Sequence, residues 1–442
     1  MATFEIKNGV GIIPEGTITI PKHAFSNLEE LTSLVIPKSV VNICENAFGN
    51  YDDVIGAEQL SSIRVEEGNT KYDSRDNCNA IVETKSNKLI LGCKNTIIPK
   101  SVKIIGRYAF EKCINLTSIV IPDSVVVIEY GAFLGCTSLT CITIPESVTK
   151  IDGAAFKNCK SLTNITIPKS VMEIDTFEGC TNLDNIRVEE GNIKYDSRNN
   201  CNAIIETETN SLIVGCKNTI IPNSVTKIGG GAFYGCTGLT NITIPESVKE
   251  IGDSAFYGCT GLTSIKIPES VKRICDCAFN ECSLLTSIVI PKYVIEIGSE
   301  TFGDCTALAS IDVAEGNTKY DSRNNCNAVI ETETNSLIAG CKNTIIPNSV
   351  TKIGYGAFSR CTDLTSIKIP ESVKEISDYA FYGCTGLTSI QIPESVTKIC
   401  DSIFDDCDSL REILVPAGKS DFFKKRLPEE LHAFIMEETE AK

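Results

Sequence analysis

Apolar and polar positions alternate along this chain with a fixed beat. Residues 116 to 138 read LTSIVIPDSVVVIEYGAFLGCTS, and Leu116, Ile119 and Ile121 have the Leu-x-x-Leu-x-Leu spacing. That spacing predicts a short strand that turns every second side chain inward. Pro122 ends the strand, because proline brings no N–H to a ladder. Val125 and Ile128 predict a second short extended segment, and Gly131-Ala132-Phe133 a tight helical turn whose ring plugs the interior. The same unit recurs every 23 residues: thirteen of the seventeen phenylalanines, from Phe25 to Phe404, fill one slot. Phe177 follows Phe156 by 21, so that coil has lost two residues. A single coil has too little core to stand alone, whereas stacked coils bury Leu on Leu and Phe on Phe.

Three longer intervals interrupt the period, at Phe48 to Phe110, Phe177 to Phe233 and Phe302 to Phe358, and each holds the same cassette. In the second, CNAIIE and SLIVGC flank the turn-forming Thr207 to Asn210, the pattern of a β-hairpin. Tyr72, Tyr195 and Tyr320 mark the cassettes, at separations of 123 and 125, so one cassette plus four plain coils was itself duplicated. An extra loop, NYDDVIGAEQ, precedes the first cassette. At the C-terminal end Pro428 opens a helical segment whose Leu431, Phe434 and Ile435 share a face suited to covering the last coil. The expected organisation is a single elongated domain. Residues 1–22 form an N-terminal cap and first strand, 23–415 the solenoid with cassettes at about 60–100, 183–222 and 308–347, and 416–442 a C-terminal cap.

The repeated run Leu-x-x-Ile-x-Ile-Pro-x-Ser-Val-x-x-Ile-Gly-x-x-Ala-Phe-x-x-Cys resembles the BspA-like branch of the leucine-rich repeats, over nearly the whole chain. Val415-Pro416-Ala417-Gly418 is similar to that family's closing Val-Pro-x-Gly. The resemblance implies an α/β fold: a right-handed leucine-rich-repeat solenoid with a parallel β-sheet on its concave face, short strands and helical turns on the convex side, and here three inserted β-hairpin cassettes. It also implies adhesion or binding to host matrix proteins such as fibronectin and fibrinogen. Against surface relatives, this sequence is expected to carry neither a signal peptide nor an anchor as encoded.

A net charge of −16 argues against nucleic-acid and anionic-membrane partners, since neutralising phosphate needs a basic surface. The start, MATFEIKNGVGIIPEG, has neither the basic nor the apolar region of a signal peptide, and no apolar stretch is long enough to span a bilayer. A cytoplasmic location is expected as encoded, with a cell-surface or secreted alternative where an export signal has been removed.

Twenty-two cysteines raise metal and redox chemistry, but eleven sit three residues after the repeat Phe, from Cys113 to Cys407. Six more form the pairs Cys78 and Cys93, Cys201 and Cys216, Cys326 and Cys341, each 15 apart. Cys44, Cys275 and Cys400 replace the Gly of the Ile-Gly step, leaving Cys141 and Cys277. A residue recurring once per coil is a packing ladder, since free Cys is a small buried hydrophobe. The cassette pairs face each other across a hairpin, as disulfides if the strands register and as thiols in a reducing compartment. Zinc is disfavoured by the absence of CxxC and by having only His23 and His432. DSRDNCN from Asp73, and DSRNNCN from Asp196 and Asp321, offer oxygen ligands without an EF-hand's glycine or distal Glu, and read as Asx turns. Gly229-Gly230-Gly231 falls on the ordinary Ile-Gly step with no following Lys-Ser or Lys-Thr, so it is no phosphate loop. No cofactor, metal or catalytic constellation is expected.

What remains is surface. The middle residue of each Ile-x-Ile strand must point outward, which makes Arg64, Ile97, Arg187, Ile220, Lys266, Asp312, Ile345 and Lys368 the candidate binding residues, with Tyr72, Tyr195 and Tyr320 on the cassette surface. The expectation is a monomeric, non-enzymatic scaffold that binds a protein through the concave sheet and the cassette hairpins. A surface adhesin is the alternative, and an enzyme acting on a polymer in the concave groove a remote one.

Overall fold

The structure, a computed structural model, describes residues 4–25, 28–45, 47–48, 58–175, 177–400 and 402–438. The first eight residues of the NYDDVIGAEQ loop lie outside the described residues. The chain divides into two compact units, residues 1–219 and 220–442. Each is a parallel-strand solenoid of stacked coils.

In the first unit, Glu5–Lys7 pairs antiparallel with Val10–Ile12, and Ser33–Ile36 and Ser62–Val65 follow in parallel. Further on, Ser118–Val120, Cys141–Thr143, Asn164–Ile167 and Asn185–Val188 form a four-stranded parallel sheet. Its register sets Ile119 opposite Ile142 and Ile165 opposite Ile186, so equal positions of successive coils lie side by side. A second stack of two-residue strands, Ile104–Ile105, Val127–Ile128 and Lys150–Ile151, runs parallel on another side of the coils. Between the two stacks each proline starts a turn: the Val125 N–H donates to the Pro122 carbonyl at 3.0 Å, as Val148 does to Pro145.

Cassette segments pair differently. Tyr72–Asp73, Ile81–Glu83 and Lys88–Leu91 are antiparallel neighbours, with a register shift between Ile81 and Val82, and Lys88–Leu91 then leads in parallel into Ile104–Ile105. Tyr195–Asp196, Ile204–Glu206 and Ser211–Val214 repeat the antiparallel set.

The second unit follows the same plan. Lys227–Ile228, Glu250–Ile251, Arg273–Ile274 and Glu296–Ile297 stack in parallel, and their first residues alternate in charge: Lys227 to Glu250 is 2.7 Å and Arg273 to Glu296 is 2.9 Å. Tyr320–Asp321, Ala328–Glu331 and Ser336–Gly340 are antiparallel and continue in parallel through Lys352–Ile353 and Glu375–Ile376 to Lys398–Ile399. Ser366–Lys368, Ser389–Gln391, Glu412–Val415 and Ile435–Glu437 form a parallel sheet on the other side. Leu431, Phe434 and Ile435 do pack on the core, but the helical turn after Pro428 is a 3-10 segment, Glu429–Phe434, and Ile435 already belongs to a strand.

The helical turn expected at Gly131-Ala132-Phe133 is instead two linked tight turns. The N–H groups of Leu134 and Cys136 close on the carbonyls of Gly131 and Phe133, at 2.9 and 3.1 Å. Those of Gly131, Phe133 and Gly135 leave the coil and reach Gly153, Ala155 and Lys157 at 3.1, 2.8 and 2.8 Å. A helix would keep its N–H groups along its own axis, whereas here every second one is given to the next coil. Left-handed φ at Gly131 (63°) and Gly135 (72°) makes that alternation. Among the described residues the one α-helix is Ser420–Lys424.

Inside, the rings stack almost parallel. Phe110, Phe133, Phe156 and Phe177 are 5.1, 5.4 and 5.6 Å apart in turn, and Phe233, Phe256, Phe279 and Phe302 are 5.0, 5.3 and 5.9 Å apart. The cassettes break the stack, placing Gly92 against Phe110 and Gly340 against Phe358, where a Cβ would stand 2.2 Å from a ring carbon. Any larger residue there would collide with the first ring of the resumed stack.

Candidate binding surface

Strand alternation fixes which side chains are offered. Ile119 and Ile121 are buried, and Val120 between them is 83% exposed. Arg64, Arg187, Lys266 and Lys368 all point outward, and Ile97, Ile220 and Ile345 are 75, 74 and 73% exposed. Asp312 is half-buried, its Oδ2 accepting from Ser310 Oγ at 3.1 Å. Parallel register brings these residues beside their counterparts: Val35 beside Arg64, Thr166 beside Arg187, Val289 beside Asp312, and Lys368 beside Gln391. Ile97 and Ile345 stand outside the ladder; their N–H groups donate to Cys78 and Cys326 at 3.0 Å.

Those cysteines close a loop that takes the place of a strand. In the first cassette Ser74 Oγ accepts the Val65 N–H at 2.9 Å and donates to the Ala80 carbonyl at 2.8 Å. Asn79 Oδ1 accepts the Ile63 N–H at 2.6 Å, and its Nδ2 donates to the Ser61 carbonyl at 2.8 Å. Two side chains thus satisfy the edge that a neighbouring strand would otherwise satisfy. Ser197 and Asn202 repeat the arrangement on Val188 and Ile186 at 2.9 and 3.1 Å, and Ser322 does so on Val313 at 3.0 Å. Beneath the loop the Arg75 guanidinium clamps Asp73 through Nε and Nη2, at 2.8 and 2.7 Å, and reaches Asn87 at 2.7 Å. This ion pair, with the hydrogen bond as its largest cause, raises the arginine's pKa further. Arg198 and Arg323 hold Asp196 and Asp321 alike, so the carboxylates of the DSR turns are already occupied by guanidinium.

Side chain and sheet edge leave open grooves. One of about 700 Å³ is lined by Ser62, Arg64, Gly68, Asn77, Asn79 and Asn95, and one of about 380 Å³ by the corresponding Asn185, Arg187, Gly191, Asn200 and Asn202. The repeated Ser and Asn of each DSR loop were the visible signal for these grooves. Spacing alone could not show that their side chains substitute for a strand.

The tyrosines are a correction. Tyr72, Tyr195 and Tyr320 are 4, 4 and 5% exposed, so they are core residues and not cassette surface. Each opens a strand whose inward position it fills, and the Tyr72 hydroxyl accepts the Ile43 N–H at 3.1 Å. Burial raises the Tyr72 and Tyr320 hydroxyls above the usual phenol value.

Every cysteine is a free thiol, and the repeat-slot ones do more than fill space. The Cys136 thiol donates to the Phe110 carbonyl at 3.0 Å, Cys159 to Phe133 at 3.2 Å, Cys282 to Phe256 at 3.3 Å and Cys384 to Phe358 at 3.1 Å. Each Phe carbonyl also accepts from the Cys N–H of its own coil. Burial pushes Cys113, Cys361 and Cys407 up to about 12, which leaves them protonated and unreactive at neutral pH. Among the described residues no helix is long and apolar enough to cross a membrane.

A leucine-rich repeat protein from Bacteroides ovatus is 26% identical in a match spanning 96% of this chain and 88% of that one, with a TM-score of 0.39. One from Eubacterium ventriosum is 23% identical over 79% of this chain and 83% of its own, with a TM-score of 0.48. A leucine rich cell surface protein from Faecalibacterium prausnitzii is 25% identical over 95 and 94%, with a TM-score of 0.38. No curated protein matches. The profile of the BspA type leucine-rich repeat region matches residues 8–74, 87–206, 208–329 and 334–425, in six copies. With its strand row, aromatic stack and cysteine ladder, this chain belongs to the BspA-type leucine-rich repeat family.

Proposed function

We propose that this protein is a non-enzymatic scaffold that binds a protein partner on the outward face of its long strands and at the cassette loops. The observation that carries this reading is the exposure of Val120, Ile97, Ile220 and Ile345 on strands and strand-like segments whose other aliphatics are buried. Exposed aliphatics at one repeated position remain in water at a cost of roughly 2 kcal/mol each, which a docked partner recovers. The family resemblance makes fibronectin and fibrinogen the first baits.

The test is capture of those baits, and of crosslinked partners, by the wild type and by the variant Ile97→Glu, Ile220→Glu, Ile345→Glu. The variant is expected to keep its thermal transition and to lose at least about tenfold in affinity, equivalent to about 1.4 kcal/mol. If both proteins bind the same partner equally, the isoleucines are not the site.

A further inference from the structure

The chain has ten arginines, and eight of them are engaged within the structure. Arg75, Arg198 and Arg323 clamp the DSR aspartates, Arg107 pairs with Glu45, Arg273 with Glu250 and Glu296, and Arg360 with Glu281. Arg411 and Arg426 donate to the backbone carbonyls of Asp408 and Phe422. The two that make no hydrogen bond or ion pair among the described residues are Arg64 and Arg187. They occupy the same position on Ser62–Val65 and Asn185–Val188, and each lines the groove of its cassette. A protein with a net charge of −16 has acids to spare for them, yet keeps both unpaired.

Each has a companion. Asn77 lines the same groove as Arg64, and Asn200 the same groove as Arg187; both asparagines are exposed, hold a left-handed φ of 52°, and make no side-chain hydrogen bond among the described residues. Nearby carboxylates are largely committed. Asp73 and Asp196 are held by their own arginines, Glu66 accepts the Lys38 N–H at 3.0 Å, and Glu189 accepts the Lys169 N–H at 3.3 Å, while Glu67 and Glu190 also line the grooves and are exposed to solvent. The loop carrying each asparagine is pinned to the strand edge by the Ser and Asn side chains described above, so the groove is formed before anything enters it.

We propose that these two grooves are carboxylate-binding sites, in which the free guanidinium takes the carboxylate of an acidic side chain and the asparagine of the same groove takes an adjoining peptide amide of an extended partner segment. The proposal rests on the outward strand face being the docking surface. A peptide is favoured over an acidic sugar because the tyrosines next to the grooves are buried and give no ring to stack on, while Ile97 and Val120 beyond the first loop are exposed and apolar. Arg64, Ile97 and Val120 would then read a segment with one carboxylate followed by aliphatic side chains. The third cassette supplies an internal control. It has Asp312 where the others have arginine, and that aspartate is half-buried and bonded to Ser310.

The test uses the full chain with arginine-selective nitrogen-15 labelling, following the side-chain Nε–H resonances. The probes are acetyl-Glu-Gly-Leu-Val-amide, its Gln counterpart, and galacturonate. The Arg64 and Arg187 resonances are expected to move with the Glu peptide, with an affinity on the order of tenfold above the Gln peptide. Arg64→Gln and Arg187→Gln should each delete one site, and Asp312→Arg should add a third. Equal movement of all ten arginines, equal response to the Gln peptide, tighter binding of galacturonate, or no third site in Asp312→Arg would overturn the proposal. A partner lost by the isoleucine variant but kept by Arg64→Gln, Arg187→Gln would overturn this site and leave the scaffold reading standing.

Discussion

Among the described residues, ten of the aromatic slots, from Phe110 to Phe404 with Phe177 excepted, are flanked two residues before and two after by a backbone in the left-handed region, and many of those positions are not glycine. Tyr108, Lys112, Ala154, Glu281 and Arg360 all sit there with φ between 51° and 60°, in the slots that Gly131 and Gly135 fill elsewhere. The conformation costs a residue with a Cβ roughly 1–2 kcal/mol. Glycine forgoes that cost but gives up about 0.5–1 kcal/mol of chain entropy. Lys112→Gly should therefore raise stability by about 0.5 kcal/mol, seen as a higher urea midpoint at unchanged slope. A lower midpoint would mean that the lysine side chain supports the turn. The thiols make a second residue-scale prediction. Cys113 and Cys407 keep their protons up to about 12 when folded, and an exposed thiol loses its own near 9. Above that pH the unfolded chain binds fewer protons, so stability is complete below pH 9 and is lost as the pH rises toward 12. Cys113→Ala should flatten the alkaline limb of stability against pH measured by urea titration; an unchanged limb would place the titration elsewhere.

At the scale of elements, the cassettes show how a sheet can be interrupted without leaving its edge bare. Ser74 and Asn79 satisfy the Val65 and Ile63 amides, so a loop occupies the position of a strand and leaves a groove on the face above it. Ser74→Ala removes the acceptor of a part-buried N–H, worth about 1–2 kcal/mol locally. Hydrogen exchange at Val65 should accelerate on the order of tenfold or more while Val120 exchanges as before. Uniform acceleration of both would show that the loop supports the whole unit rather than one edge. The strand and proline periodicity, the hairpin pairing around Thr207 to Asn210 and the Phe and Cys ladders were all legible in the sequence, because each repeats one side-chain requirement per coil. The aromatic turn reads as helical in the sequence because Gly131-Ala132-Phe133 carries no mark of where its amides go; only the neighbouring coil decides that. The inward place of the cassette tyrosines is not legible in the sequence because their strands are two residues long, too short for alternation to assign a face.

Across the whole molecule, stability is a chain of nearest-neighbour contacts. Phe256 stacks on Phe233 and Phe279, at 5.0 and 5.3 Å, and its ring is fully buried. Phe256→Ala should cost about 3–5 kcal/mol and, by weakening one interface in the middle of a stack, broaden the unfolding of residues 220–442 into two steps. A single transition merely shifted to lower denaturant would show that coupling extends beyond adjacent coils.

The alternation of amides in the aromatic turn sets a rule of parity for how such a chain can change length. An odd insertion between the Ile of the second strand and the Phe would send the inward ring outward and hand the wrong amides to the next coil. An even one leaves both assignments intact. The coil that ends at Phe177 lost two residues there, with Ile174 three positions before its Phe where Ile128 is five before Phe133. Its core still stacks at 5.6 Å on Phe156, and the Asn158 N–H still finds the Glu178 carbonyl at 2.8 Å. By this parity a coil of this chain tolerates the loss or gain of residues before its Phe in pairs, or its duplication whole, and resists the single-residue steps that an ordinary loop accepts.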